Sequence, residues 1–444
     1  MKKKSQAFYR YCHDMENKQL SYYDLEEIED AVDDLLDMNM MDDALYLVEE
    51  GMKQHPGDID IEKQLIWLYL RSGRLSDAEA RFDKYKDDGT SQTIRIQFAL
   101  AVIKGHPKRA FEQYYQALVD GKIPIYDWVW TIEEIFSLLP AEYTVHYTIK
   151  AAESETKDAE VLGRIASILV DSQRYVEAIP IIERALDINA YDIFSWQDLA
   201  RCYMMTSNFG KAMEACEYGL AIDEQNPLLN FVKGFIHYDR KQYHDCVACL
   251  EIAKQFTSEK LSSQNFEIPI DEANAQINTT YQMLGFSYLE LNQEEKAEEC
   301  FEILSERTPN DAHPVMQLAG IALMKGDLQL ALTFADKAIA INPKERTAFE
   351  LKVSILTSMG NLDEALAEMR KLVRHYPKNT SILVAYAELA RHASADDVAD
   401  ETYRRLLKMN VKETNILKLM LDYFESIDDA EAAEKVRRAL NTRA

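Results

Sequence analysis

The chain has 444 residues, of which 47% are hydrophobic, and its formal net charge is −26. Because a protein that binds nucleic acid or an anionic membrane surface uses Lys and Arg to neutralise phosphates, this charge argues against both classes of partner. No stretch approaches the roughly 18 apolar residues that a membrane span needs. The low content of Gly and Pro, 14 and 11 residues, favours a folded and nearly all-helical chain.

Residues 1–24 are predicted to form an N-terminal extension before the regular part of the chain. Its basic run at residues 2–4 is followed by polar residues and not by an apolar core, so a secretory signal is not expected. The 6 cysteines are typical of buried thiols in a reducing compartment. We therefore expect a cytoplasmic protein.

The next segment, residues 21–50, contains twelve Asp or Glu residues and no Lys or Arg. One interpretation is a solvated outer face on an N-terminal capping unit, which repeat proteins need for solubility. The alternative is a docking patch for a basic partner. A calcium loop is not indicated, because the spacing of acidic residues that such a loop requires is missing.

A small residue then recurs through the rest of the chain at intervals of 34 residues, apart from one interval of 32 and one of 51. The positions are Ala44, Ala78, Ala110, Thr144, Ala178, Ala212, Cys246, Ala297, Ala331, Ala365, Ala399 and Ala433. A period of this length indicates a solenoid of two-helix units, none of which can bury its apolar face without its neighbours.

The unit at residues 193–226 shows how each repeat is built. Its apolar residues recur at helical spacing in two groups, separated by poor helix formers near Ser207. Small residues at Ala200, Ala212 and Gly219 allow two helices to approach closely. The pattern therefore predicts helix, tight turn, helix.

This pattern resembles the tetratricopeptide repeat (TPR) family. The best-matching stretches are Trp196-x-x-Leu199-Ala200-x-x-Tyr203 and Leu284-Gly285-x-x-Tyr288 followed by Ala297, Phe301 and Pro309. The predicted units start at Leu25, Ile59, Ser91, Ile125, Ala159, Ile193, Pro227, Asn278, Ala312, Arg346, Thr380 and Thr414. The resemblance implies an all-α, right-handed α-solenoid of about twelve helix-turn-helix repeats over residues 25–444.

The regular spacing is interrupted once, by an insertion at residues 255–277. Residues 257–266 are predicted to be loop, and Pro269 with Asp271 marks a helix start. The insertion separates an array of about seven repeats, 25–260, from an array of about five, 278–444. Whether the two arrays form one continuous superhelix is left open.

Catalytic and metal-binding motifs are not found. Cys246 and Cys249 have the spacing of a CxxC motif, but Cys246 takes the position of a repeat alanine, and no second such pair occurs. The sequence contains no phosphate-binding loop, dinucleotide fingerprint, nucleophile elbow or zinc-protease motif. We therefore expect a non-enzymatic protein without a cofactor or metal.

The resemblance places the candidate binding surface on the concave face, which the first helix of each repeat lines in this family. The apolar, Met- and aromatic-rich residues that it assigns to a peptide- or protein-binding groove are Phe194, Arg201, Met204, Met205, Leu228, Phe231, Phe235, Tyr238, Met283, Phe286, Leu289, Met316 and Met324. Large exposed apolar patches mark partner sites, and Met suits a surface that must adapt to its ligand.

Three functions remain open. The first is a protein–protein interaction scaffold or adaptor that binds a protein segment in this groove. The second is a peptide-sensing regulatory receptor, although the residues before the first repeat are too few for an effector domain. The third is a structural assembly factor that oligomerises through the groove, so that another copy of the chain fills it. Binding of chaperone C-termini is not expected. The carboxylate clamp that binds them needs a Lys followed four residues later by Asn, and here Lys63 is followed at that position by Trp67.

Overall fold

The computed structural model describes residues 4–17, 19–153, 156–262 and 270–441. Over these residues the protein is all-α, with 25 α-helices, one short 3-10 helix and no strand. The chain divides into two compact units, residues 1–224 and 225–444. Most helices that follow each other in sequence pack together within each unit. This confirms the predicted all-α fold of repeated helix pairs.

Unit 1, residues 1–224, contains thirteen of these helices. They are α1 (Gln6–Glu16), α2 (Leu25–Asp37), α3 (Met41–Gln54), α4 (Ile59–Arg71), α5 (Leu75–Phe82), α6 (Ser91–Ile103), α7 (Pro107–Val119), α8 (Ile125–Glu134), α9 (Ala141–Ala152), α10 (Ala159–Asp171), α11 (Tyr175–Ile188), α12 (Ile193–Met205) and α13 (Phe209–Ile222). The 3-10 helix Phe136–Leu138 lies between α8 and α9.

Unit 2, residues 225–444, contains the other twelve. They are α14 (Pro227–Asp239), α15 (Tyr243–Ser262), α16 (Ile270–Glu290), α17 (Glu294–Arg307), α18 (Ala312–Met324), α19 (Leu328–Ile341), α20 (Arg346–Ser358), α21 (Leu362–His375), α22 (Thr380–His392), α23 (Asp396–Lys408), α24 (Thr414–Ser426) and α25 (Ala430–Asn441).

Eleven of the twelve predicted repeat starts are the first residue of a helix. At eight of these eleven starts, the side chain of the residue just before the helix caps its first turn. Asp58, Asp192 and Asn379, for example, each accept a hydrogen bond from a backbone N–H in the first turn of the helix that follows. The exception is Asn278, which lies inside the longer helix α16.

All twelve positions of the 34-residue spacing are buried, with at most 2% of the residue exposed. They lie on the second helix of each pair, where a small side chain lets that helix approach the first. Thr144 is accommodated because its hydroxyl donates a 3.0 Å hydrogen bond to the Pro140 carbonyl, one turn earlier in the helix. The spacing of small residues thus corresponds to helix–helix contact, as predicted.

A left-handed residue joins the two helices of most repeats. Such residues recur with the same period, as Asn39, Gly73, Gln173, Ser207, Lys241, Asn292, Gly326, Gly360, Ser394 and Asp428. A residue with a side chain is strained in this conformation, whereas Gly is not. The tight turn predicted near Ser207 is one of this series.

We expect Gln173→Gly to stabilise unit 1 by about 0.5–1 kcal/mol, because it removes the side-chain strain at φ +59°. Urea unfolding followed by circular dichroism measures the change. The matched control is Ser172→Gly, at φ −78°, which should destabilise the protein. Equal effects of the two substitutions would contradict the strain argument.

The first part of the insertion has a different structure from the one predicted. Helix α15 continues to Ser262, so residues 257–262 are helical and not loop. A helix starts at Ile270, as the Pro269–Asp271 signal predicted. Residues 263–269 lie outside the described residues, and the boundary between arrays at 255–277 stays a prediction.

The N-terminal extension contains a helix, α1, that the periodicity did not predict. Arg10 on α1 forms a 2.6 Å ion pair with Glu27, and Lys4 lies 3.4 Å from Asp34. The Tyr11 hydroxyl donates to the Asp43 carboxylate at 2.8 Å. Part of the acidic segment at residues 21–50 is therefore neutralised by the extension that precedes it.

Candidate functional site

Most of the predicted groove residues lie on the first helices of unit 2. Phe231, Phe235 and Tyr238 are on α14, and Phe286 and Leu289 are on α16. All five are partly buried and pack against one hydrophobic cluster. Their side chains therefore contribute to the core of unit 2 while remaining partly exposed.

Met283 is not available to a ligand, which corrects its assignment to the groove. It is only 5% exposed and belongs to the buried cluster with Leu250, Leu284 and Phe301. By contrast, Met324 at the end of α18 is 60% exposed. Leu228 and Met316 have intermediate burial.

The other four predicted groove residues lie on helix α12 of unit 1. Phe194 and Met205 are 54% and 52% exposed. Arg201 and Met204 have intermediate burial. This helix thus presents two large apolar side chains at its surface.

The structure adds a pocket in unit 1 that the sequence reasoning missed. It has a volume of about 380 Å³, a size typical of small-ligand sites. Its walls come from α2, α4, α6 and α8, the first helices of the first four repeats. The residues that line it include Glu26, Glu29, Asp33, Asp60, Lys63, Trp67, Arg95, Trp130 and Glu134.

The centre of this pocket is a stacked Trp–Arg pair. The Arg95 guanidinium lies 3.7 Å from the Trp67 ring centroid, within cation–π range. Arg95 also pairs with Glu134, which Arg71 approaches to 3.6 Å. Burial lowers the pKa of Arg95, and the Glu134 charge opposes that shift. Trp67 is held in one orientation by these contacts.

The cations nearest the pocket are engaged by acidic neighbours. Lys63 is buried and forms a 2.5 Å ion pair with Asp88. Arg164 lies 2.9 Å from Glu133 and 5.6 Å from the Trp130 ring centroid. Lys63, the residue that matches one position of a carboxylate clamp, is therefore engaged in a structural contact.

The pocket residues could have been predicted by assigning the same positions of every repeat to the groove. The resemblance to the repeat family assigns positions 2, 5 and 9 of each unit, among others, to the groove. These positions include Glu26, Glu29 and Asp33 in the first unit and Lys63 and Trp67 in the second. All five line the pocket. In the sequence the acidic segment stands out only as a charge pattern, because the residues that complete the pocket lie in the following repeats.

The cysteines form no chemical site in the described part of the chain. Cys246 is buried, and its sulfur lies 3.3 Å from the Ser287 hydroxyl. Burial raises the pKa of both Cys246 and Cys249, which keeps the thiols protonated and unreactive. No group of three His, Cys, Asp or Glu residues suited to a metal ion occurs among the described residues.

None of the described helices combines the length and the apolar character that crossing a bilayer requires.

Three stretches of the chain match sequence profiles of the tetratricopeptide repeat family, at residues 35–103, 159–192 and 283–346. The chain is also 22% identical over 282 residues to anaphase-promoting complex subunit 3 of Schizosaccharomyces pombe. That alignment covers 64% of this chain and only 38% of the relative's own length.

Solved structures of low identity are also similar. The TPR protein YrrB, described as having an unusual peptide-binding site, is 19% identical, with 46% of this chain and 97% of that chain covered and a TM-score of 0.38. PilW, a type IV pilus biogenesis factor, is 18% identical, with 50% and 94% covered and a TM-score of 0.37. TM-scores this low add nothing to the assignment, which rests on the three matched stretches and on the repeated helix pairs. The chain belongs to the tetratricopeptide repeat family, whose members mediate protein–protein interactions.

Proposed function

We propose that this protein is a non-enzymatic scaffold that binds an apolar peptide or protein segment on the first helices of unit 2. The observation that supports this most is the run of aromatic side chains on α14 and α16, continued by Met316 and Met324 on α18, which are not fully buried. Partly exposed aromatic residues on a rigid helix face are the usual anchors of protein interfaces. A cytoplasmic location is part of the proposal.

The anatomy of this face suits an interface. Phe286 meets Phe301 edge-on, with ring centroids 5.3 Å apart, so the core holds its ring in place. Anchors held in this way lose little conformational freedom on binding, which favours affinity. Met324, in contrast, is flexible and 60% exposed and can adapt to different ligands.

A non-catalytic role is part of the proposal, and it is supported by ion pairs whose role is to join neighbouring helices. Lys352, for example, lies 2.7 Å from Asp336 and 3.0 Å from Glu368. These contacts link α20 to both of its neighbours along the chain, α19 and α21. They provide no nucleophile next to a base, which acyl or phosphoryl transfer would need.

The proposal is tested with fluorescein-labelled decapeptide libraries in which one position is fixed as Leu or Phe. We expect the full chain to bind them and Met324→Glu to bind about thirty-fold more weakly, equivalent to about 2 kcal/mol, because an apolar side chain would then have to dehydrate a carboxylate. Fluorescence polarisation measures the affinity. Met324 is preferred to Phe235 or Phe286, since truncating those residues would also disturb the core.

The matched control is Met38→Glu. Met38 is also an exposed Met at a helix C-terminus, but it lies in unit 1. It should leave binding unchanged. Equal binding by Met324→Glu and wild type, or no binding of any peptide, would refute the proposal. Light scattering measures the mass of the wild type and of the variant. If the wild type is a dimer and Met324→Glu dissociates it, the face binds a second copy of the chain.

A further inference from the structure

Three residues that line the pocket of unit 1 each carry a buried hydrogen-bond donor without an acceptor among the described residues. They are Trp67 Nε1, Trp130 Nε1 and Arg95 Nε. All three residues line the same pocket, and Trp67 is only 6% exposed. Most buried donors in proteins are satisfied, and leaving one unsatisfied is costly. Three together indicate a place where acceptors arrive with a ligand.

The rim of the pocket is acidic. Glu26 and Glu29 on α2 and Asp60 on α4 are exposed and form no ion pair with a Lys or Arg among the described residues. Arg95 and Lys63, the cations in the lining, are already paired with Glu134 and Asp88. The accessible charge at the pocket is therefore negative, in a chain whose net charge is −26.

We infer that this pocket binds an extended peptide segment that carries Lys or Arg. Backbone carbonyls of the peptide would accept hydrogen bonds from the indole N–H groups of Trp67 and Trp130 and from Arg95. Its cationic side chains would lie against Glu26, Glu29 and Asp60. This inference rests on the proposed function, since it names one class of partner for the scaffold.

Other ligand classes fit less well. A phosphate or a nucleic acid would accept from the same donors, but the rim carboxylates would repel it. A metal ion would find carboxylates but no group of three ligands among the described residues. An acidic peptide would meet the same repulsion as a phosphate. Of these ligands, only a basic peptide supplies both hydrogen-bond acceptors for the three donors and positive charges for the acidic rim.

The test uses the full chain and fluorescein-labelled decapeptide libraries with one position fixed as Lys or Arg, compared with libraries fixed as Glu or Ala. We expect the basic libraries to bind at least about tenfold more tightly, and the difference to shrink as NaCl is raised from about 50 mM to about 500 mM. Equal binding of basic, neutral and acidic libraries would overturn the inference.

Two variants locate the binding. Glu26→Gln with Glu29→Gln removes two exposed charges without touching the core, and we expect basic-peptide affinity to fall about tenfold. Trp67→Phe removes the indole N–H and keeps an aromatic ring, and it should weaken basic and neutral peptides alike. The control pair, Glu302→Gln with Glu306→Gln, makes the same charge change on exposed positions of α17 and should have no effect.

The outcomes separate this inference from the proposed function. If the basic peptides are lost with Met324→Glu but not with the unit 1 variants, the pocket inference fails and the scaffold proposal stands. If apolar peptides are lost with Met324→Glu and basic peptides only with the unit 1 variants, both hold. If no library binds at all, both fail.

Discussion

Replacing Phe301 with Ala is expected to destabilise unit 2 by about 3–5 kcal/mol, the largest effect of any substitution considered. Phe301 is fully buried between α16 and α17. A Cβ placed on Gly285 would come within 2.7 Å of the Phe301 ring, so the ring fills the space that Gly285 leaves open. Truncation therefore creates a cavity at the helix contact, which the surrounding backbone cannot close.

Urea unfolding measures this effect, and amide hydrogen exchange locates it. Because a repeat contacts mainly its neighbours, protection should fall in the repeats around α16 and α17 and persist in distant repeats. Phe194→Ala is the matched control, since Phe194 is 54% exposed and its truncation should cost little. A similar loss of stability for both variants would contradict the assignment of Phe301 to the core.

Replacing Ala212 with Leu is expected to destabilise unit 1 by about 1–3 kcal/mol, because the larger side chain overpacks the contact between α12 and α13. Ala212 is fully buried at this contact. The effect tests the meaning of the 34-residue spacing directly. If the recurring small residue marks close helix approach, no other position on the helix should be as sensitive to added volume.

Ala221→Leu provides the comparison, because Ala221 is exposed on the same helix, α13. It receives the same added volume and should change stability by less than about 0.5 kcal/mol. Thermal and urea unfolding of the two variants give the difference. An unchanged melt for Ala212→Leu would remove the physical basis of the repeat register.

The repeat architecture was predictable from the sequence because its signals are local. A capping residue such as Asp192 and a small residue such as Ala212 each act within a helix pair. Because the same pattern recurs along the chain, it is not a coincidence of composition. Helix α1 was missed because it occurs once, and periodicity says nothing about a segment outside the repeat. The extent of α15 was missed because the sequence after Gln255 lacks the regular spacing that had marked the earlier helix ends.

The candidate sites depend on tertiary structure more than the repeat architecture does. Sequence position alone placed Met283 and Met324 on one surface, yet one is 5% and the other 60% exposed, because burial depends on the packing of neighbouring repeats. The pocket around Trp67 likewise needs side chains from four successive first helices, and its unsatisfied donors become visible only when every nearby acceptor has been placed. The sequence by itself determined the repeat, its period and its helix starts, since these are set by short-range propensity and patterning. The tertiary structure alone decided which groove residues remain accessible and where donors and carboxylates converge, since both depend on contacts between residues about 34 positions apart or more.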